Sequence, residues 1–198
     1  MATNDAATDQ QDRADMQRLV DGHDAALNEI MERHKQSLFH YLIRHLQNEE
    51  DAADLTQEAF VRVYQHRGKF DPRQRFFTWL YTIATNLARD RMKWRSRHRQ
   101  VSLDQPVGEG DSSIGDTIPD ATPLPDDAIA SSERAQIVRS AVAALPEDLR
   151  TALILAEYER MPHQEIALVL RCSTKAVESR IYRAKVRLRE RLTNLQRT

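Results

Sequence analysis

Cysteine is almost absent from this 198-residue chain: Cys172 stands alone, which excludes an internal disulfide and a cysteine-built zinc site. Glycine is scarce, with five residues, and aromatics make up only 6% of the chain. No long apolar run and no signal-peptide core occur, so a cytoplasmic protein without membrane insertion is expected. Excess charge of either sign is missing too, since 29 Lys and Arg meet 30 Asp and Glu. That balance excludes a global basic field as the means of reaching nucleic acid.

The local charge is far from balanced. Arg89, Arg91, Lys93, Arg95, Arg97 and Arg99 form one basic block, and Arg180, Arg183, Lys185, Arg187, Arg189 and Arg191 form a second. Between Gln100 and Glu133 there is no Lys or Arg, but Asp104, Glu109, Asp111, Asp116, Asp120, Asp126 and Asp127 all occur. Two positive bodies joined by a negative strap result. The strap is itself a candidate restraint on the basic surfaces.

Periodicity makes the chain all-α, as two small helical domains joined by a flexible acidic linker. Residues 1–23 lack a clear period and are expected to be disordered. Leu27, Ile30, Met31, His34, Leu38, Tyr41, Leu42 and His45 recur at helical spacing, and a second helix, from about Glu50 to His66, turns Ala53, Phe60, Val61, Val63 and Tyr64 inward. Gly68 and Pro72 mark a loop. A third helix starts near Arg75, buries Phe76, Trp79, Leu80, Ile83, Ala84 and Leu87, and runs to His98. The first domain therefore covers 24–99, the linker 100–127, and the second domain 128–198. In the latter, one helix turns Ile137, Val138, Ala141 and Val142 inward, and another follows Pro146.

The end of the chain is the most specific part. Pro162 opens a short helix carrying Ile166, Ala167 and Leu170. A tight turn follows, then a longer helix with an apolar stripe of Val177, Ile181, Ala184, Leu188 and Leu192. This is the layout of a helix-turn-helix, whose second helix enters the DNA major groove. With that stripe inward, Lys175, Glu178, Ser179, Tyr182 and Arg183 face base edges, and the guanidinium fork of Arg183 matches the two acceptors of a guanine. Thr174, Arg180 and Arg187 suit phosphates, and Ser173 suits the N-cap. The run from Arg187 to Arg197 reads equally well as a solvated helix end. Arg171 stands where such turns often carry Gly, so a left-handed residue there is strained. Cys172 reads as a small hydrophobe turned to the core.

Three motifs in order carry a resemblance. Asp51-Ala-Ala-Asp-Leu-Thr-Gln-Glu-Ala-Phe60 resembles the polymerase-binding part of region 2 in bacterial sigma factors. Phe76 to Asp90 is similar to the promoter-reading and melting helix that follows, and Leu145 to Leu192 to region 4. With no region 3 between them, the chain resembles the extracytoplasmic-function group of the sigma-70 family. The resemblance implies a promoter-specific initiation factor without catalytic activity, cofactor or metal. Its partners would be core RNA polymerase (the clamp helices of the largest subunit and the flap), promoter DNA and a candidate anti-sigma factor.

By position, the resemblance gives Asp51, Asp54, Leu55, Gln57 and Glu58 to polymerase docking. It gives Phe70, Asp71, Arg73, Gln74, Phe76, Phe77 and Asn86 to a pocket for a minus-ten base that has left the stack, with Arg89, Lys93 and Arg97 on phosphates. Stacking on aromatic faces returns roughly 1–3 kcal/mol per base, which offsets melting. Trp79 is assigned to the core; Trp94 suits either stacking on DNA or covering the domain. The loop Asp71-Pro-Arg-Gln-Arg75 departs from many relatives, as does the acidic Glu178. The competing readings are a sigma-like decoy that sequesters an anti-sigma factor, a dimeric helix-turn-helix repressor and a helical nuclease. The decoy should have lost its DNA-facing charges, the repressor leaves Asp51 to Arg99 unexplained, and the nuclease lacks a carboxylate cluster opposite a base.

Overall fold

The computed structural model describes residues 2–102 and 126–195, with side chains described over 6–98 and 135–193. All regular structure among the described residues is helical: α1 (Ala2–Val20), α2 (Ala25–Leu46), α3 (Glu49–Gln65), α4 (Phe76–Ser102), α5 (Asp126–Ala143), α6 (Glu147–Glu157), α7 (His163–Leu170) and α8 (Thr174–Leu195), with one 3-10 turn at Arg67–Lys69. The acidic strap falls almost wholly outside the described residues.

In the N-terminal domain α2 and α3 form a helical hairpin crossed by α4. Gln47 ends α2 in the left-handed region, and Asn48 caps α3 by accepting the Asp51 amide at 2.7 Å. Glu49, Glu50 and Asp51 then fill the first turn, where the helix dipole favours anions. Ile30, Leu38, Tyr41, Leu42, Phe60, Val63, Phe76, Leu80 and Ala84 make the core. In the C-terminal domain, proline N-caps precede α6 and α7 (Pro146 and Pro162). Leu149, Leu153, Ile154, Ile166, Val169, Val177, Ile181 and Ala184 are buried there.

Three expectations change. The segment expected to be disordered carries a helix instead: α1 packs on α2, with Met16 and Leu19 fully buried and Asp12 and Asp15 nearly so. Its apolar residues are too few to give a visible stripe, and buried carboxylates join Met16 and Leu19 in fixing it against α2. In α3, Ala53 is exposed and Val61 largely so, whereas Ala52, Leu55, Thr56 and Ala59 are buried. The stripe follows helical phase rather than side-chain hydrophobicity. In α5, Ile137 and Val138 are exposed and only Ala141 and Val142 are buried.

The two domains also touch. α2 meets α5 and α6, and α4 meets α7. Nothing in the periodicity announces this contact, in which buried apolar groups of both domains join one cluster and carboxylates meet cations and hydroxyls beside it.

The turn between α7 and α8 closes on Arg171, at φ 50° and ψ 50°, with the Cys172 amide donating to the Ala167 carbonyl at 3.0 Å. A side chain in this region costs about 1 kcal/mol or more, and glycine does not. Arg171→Gly is therefore predicted to stabilise the chain by about 0.5–1 kcal/mol, read as a higher urea midpoint at unchanged slope. An unchanged or lower midpoint would contradict strain at this residue.

Candidate nucleic-acid interface

The helix-turn-helix presents the face its phase requires. Ser173 Oγ accepts the Ala176 amide at 3.2 Å and caps α8. Val177, Ile181 and Ala184 lock the inner face. Lys175, Glu178, Ser179, Arg183 and Arg187 are exposed, and Tyr182 is 70% exposed. Thr174 is half-buried at the helix start. Arg180 departs from its expected place: it lies half-buried, 3.6 Å from Asp148 and 3.4 Å from Cys172 Sγ, so it ties α8 to its own domain. Cys172 is accordingly part of the packing.

The loop before α4 divides into an outer and an inner part. Asp71 accepts from the Arg73 amide at 2.9 Å and from its guanidinium at 3.1 Å, which fixes the turn. The Arg73 hydrogen bonds hold the Asp71 carboxyl below the usual range. Arg73 and Gln74 project into solvent. Phe70 is half-buried against Trp79 at 5.3 Å and Phe76 at 6.0 Å between ring centres. Phe76 has no exposed surface, so it supports the loop and is not free to stack on a base, a correction to its expected place. Phe77 is half-buried beside Tyr81 at 4.2 Å, and Asn86 is half-buried further along α4. Lys93 and Arg97 are exposed.

The docking candidates split as well. Asp51 is only 5% exposed and paired with Arg91 and with Arg95 (2.5 Å), so it fastens α3 to α4. Leu55, equally buried, belongs to the core. Both lie on the inward phase of α3, and of the two Leu55 also lines the floor of the neighbouring groove. Asp54 and Gln57 remain exposed, and Glu58 pairs with Arg62 at 2.8 Å. They line a groove of about 560 Å³ between α3 and α4 together with Val61, Asp90 and Trp94. Val61 and Trp94 are exposed apolar groups, and the sequence reading missed that they share this groove. Trp94 carried a signal, as a large hydrophobe off the buried stripe amid arginines; Val61 carried none, because periodicity turned it inward.

Between the domains, three carboxylates of the C-terminal half hold cations and hydroxyls of the N-terminal half. Glu165 accepts from Arg75 at 3.2 Å and from Thr78. Glu159 accepts from the Tyr81 hydroxyl at 2.8 Å and lies 3.7 Å from Arg44, whose guanidinium covers the Tyr158 ring at 4.6 Å. Glu147 accepts from Arg89 at 3.0 Å. Arg89, expected on phosphate, is thus occupied by a carboxylate.

His45 sits beneath these contacts. Thr151 Oγ1 donates to the Glu147 carbonyl, so it accepts from His45 Nε2 at 2.7 Å and leaves Nδ1 buried without a partner. Burial, then Arg150 and Arg89, lower the His45 pKa from 6.5 to about 3. Among the described residues no group of three or more His, Cys, Asp or Glu could hold a metal, and no helix is long and apolar enough to cross a membrane.

Residues 30–99 match the family described as Sigma-70 region 2, and residues 135–188 match Sigma-70, region 4. The chain is 32% identical over 194 residues to the RNA polymerase sigma-H factor of Pseudomonas aeruginosa, covering 96% of this chain and 98% of that one. It is 31% identical over 174 residues to the ECF RNA polymerase sigma factor SigW of Bacillus subtilis, covering 88% and 92%. A solved structure of CnrH in complex with the cytosolic domain of CnrY is similar with a TM-score of 0.67 at 26% identity, over 93% of this chain and 98% of CnrH.

A depressed histidine pKa stabilises the fold above the ordinary value and is lost as pH falls. The neutral His45 therefore contributes fully above pH 6.5, and its contribution declines as pH falls towards about 3. Glu159, raised by burial, acts in the opposite sense with falling pH. Comparing the native chain with His45→Gln, which shares Glu159, isolates the histidine. Urea midpoints from pH 7 to pH 4 should fall more steeply for the native chain, and parallel profiles would contradict the assignment.

Proposed function

The chain belongs to the sigma-70 family of RNA polymerase sigma factors, in its ECF (extracytoplasmic-function) group, and from that premise we propose how its surfaces divide promoter-specific initiation among themselves. The groove of Asp54, Gln57, Glu58, Val61, Asp90 and Trp94 docks on the clamp helices of core polymerase. Its carboxylates and apolar side chains suit a partner helix with a basic and an apolar side. The Phe70–Gln74 loop, with Phe77 and Asn86, receives a minus-ten base that has left the duplex, while Lys93 and Arg97 follow the phosphates. Helix α8 reads the minus-thirty-five duplex through Lys175, Glu178, Ser179, Tyr182 and Arg183.

One observation carries this reading: the outer loop and the outward face of α8 are both open to solvent, while the cations between them are held by carboxylates. The two promoter elements lie about 25 base pairs apart, roughly 85 Å along B-DNA at 3.4 Å per pair. Domains in hydrogen-bond contact cannot span that length, so reading both elements requires them to part. The 23 residues from Leu103 to Pro125 reach at most about 80 Å when extended, enough for separation on this scale. Parting frees Arg75 and Arg89 from Glu165 and Glu147. A regulator that holds the domains together would keep the factor off promoters. The likeness to CnrH, solved with a partner's cytosolic domain, supports an anti-sigma factor in that role.

Transcription with purified core enzyme on randomised promoters tests this division directly. Arg183→Ala should weaken one base preference in the minus-thirty-five element by about 1–3 kcal/mol. A uniform loss at every sequence would make Arg183 a backbone contact. The closed contact has its own test. Replacing Glu147, Glu159 and Glu165 by Gln should raise the affinity of the polymerase-free chain for duplex DNA at low salt, because the cations are released. Unchanged affinity would show that these carboxylates do not compete with DNA.

A further inference from the structure

The charged cluster that anchors α1 has no part in the division above. Asp12, 1% exposed, accepts from Arg33 Nε at 2.9 Å through one oxygen and from His34 Nε2 at 2.8 Å through the other. Arg33 also donates to Asp15 at 2.6 Å. Such a buried network is weak evidence for stability, because desolvation offsets much of the attraction, but it fixes geometry. The His34 ring, held on one edge by Asp12, lies 5.3 Å from Phe76 and 6.4 Å from Phe77. Phe76 in turn contacts Phe70 and Trp79. Helix α1 touches both the Arg67–Lys69 turn and α4. A continuous line of contact therefore runs from a carboxylate on α1, through one histidine ring and one buried phenylalanine, to the base of the loop.

We infer that α1 is a positioning element for minus-ten base capture, with Asp12 and His34 setting the Phe76 and Phe70 rings against which the loop is built. This rests on the minus-ten role proposed for that loop. A neutral or shorter group at position 12 leaves Arg33 held by Asp15 alone and lets the His34 ring turn. Phe76 then loses its fixed neighbour, and Phe70 loses the surface that sets its height in the loop. Neither Asp12 nor His34 has to touch DNA, and the docking groove and α8 lie on other contacts. The effect should fall on base choice at the captured position, not on polymerase affinity or duplex reading.

The test uses the full chain bound to core RNA polymerase and a pool of short single-stranded deoxyoligonucleotides randomised along their length. The retained sequences report base preference. A chain that is merely less stable lowers retention of all sequences together and leaves the preference intact. Asp12→Asn should reduce preference at one position by roughly tenfold, the worth of one stacked base, with core affinity unchanged. His34→Gln keeps a hydrogen bond to Asp12 but removes the ring, and should do the same; it carries the test if Asp12→Asn fails to fold. Phe70→Ala should erase the same preference, and combining it with Asp12→Asn should add little further loss. If Phe70→Ala changes the preference but Asp12→Asn and His34→Gln leave it intact or lower retention uniformly, the positioning role is overturned and the loop reading stands. If none of the three changes it, both fall together.

Discussion

Contact between Glu147, Glu159 and Glu165 of one domain and Arg89, Tyr81, Arg44, Arg75 and Thr78 of the other governs which surfaces this factor can use. Charge-assisted hydrogen bonds in partly buried settings contribute about 1.5–3 kcal/mol each before solvent screening. They act together with the buried His45 to Thr151 bond and with an apolar cluster that includes residues of both domains. Yet they are the interactions most readily exchanged for others, because a phosphate satisfies an arginine as well as a carboxylate does. Under the proposed division, Arg75 and Arg89 are the cations that the closed arrangement and the promoter-bound one share.

Part of the positive charge is thus covered within the chain. Arg75 and Arg89 are matched by Glu165 and Glu147, whereas Lys93, Arg97, Lys175 and Arg183 stay exposed. The acidic strap first suggested itself as the source of that match. The carboxylates of the contact lie on α6, on α7 and in the segment joining them, inside the helix-turn-helix domain; those of the strap fall outside the residues whose side chains are described.

Most of the fold was legible from periodicity. The stripes of α2, α4 and α8 could be read because each buries large apolar groups at regular spacing, and the Ser173 cap followed from its place before α8. Helix α1 was not legible, because Met16 and Leu19 make too short a stripe and Asp12 and Asp15 complete its buried face, and a carboxylate reads as surface until its partner is known. The same blindness affected Asp51: its acidic neighbours suggested a docking stripe, but Arg91 and Arg95 arrive from forty residues away. Phe76 failed for a related reason, since a motif names a residue without saying which side of the helix faces the core. Motif order identified the family, whereas the assignment of single residues needed three-dimensional neighbours.

The claim on which all else turns is that the domains part when the factor works. Donor and acceptor dyes at Glu32 and Glu190, both exposed and on different domains, with Cys172 replaced by Ser, report their separation. The account predicts efficient energy transfer in the free chain. Once the chain sits on core polymerase at an opened promoter, transfer should collapse as the domains move apart on the scale of the roughly 85 Å between the two elements. Transfer that stays high while the promoter bubble forms would contradict it.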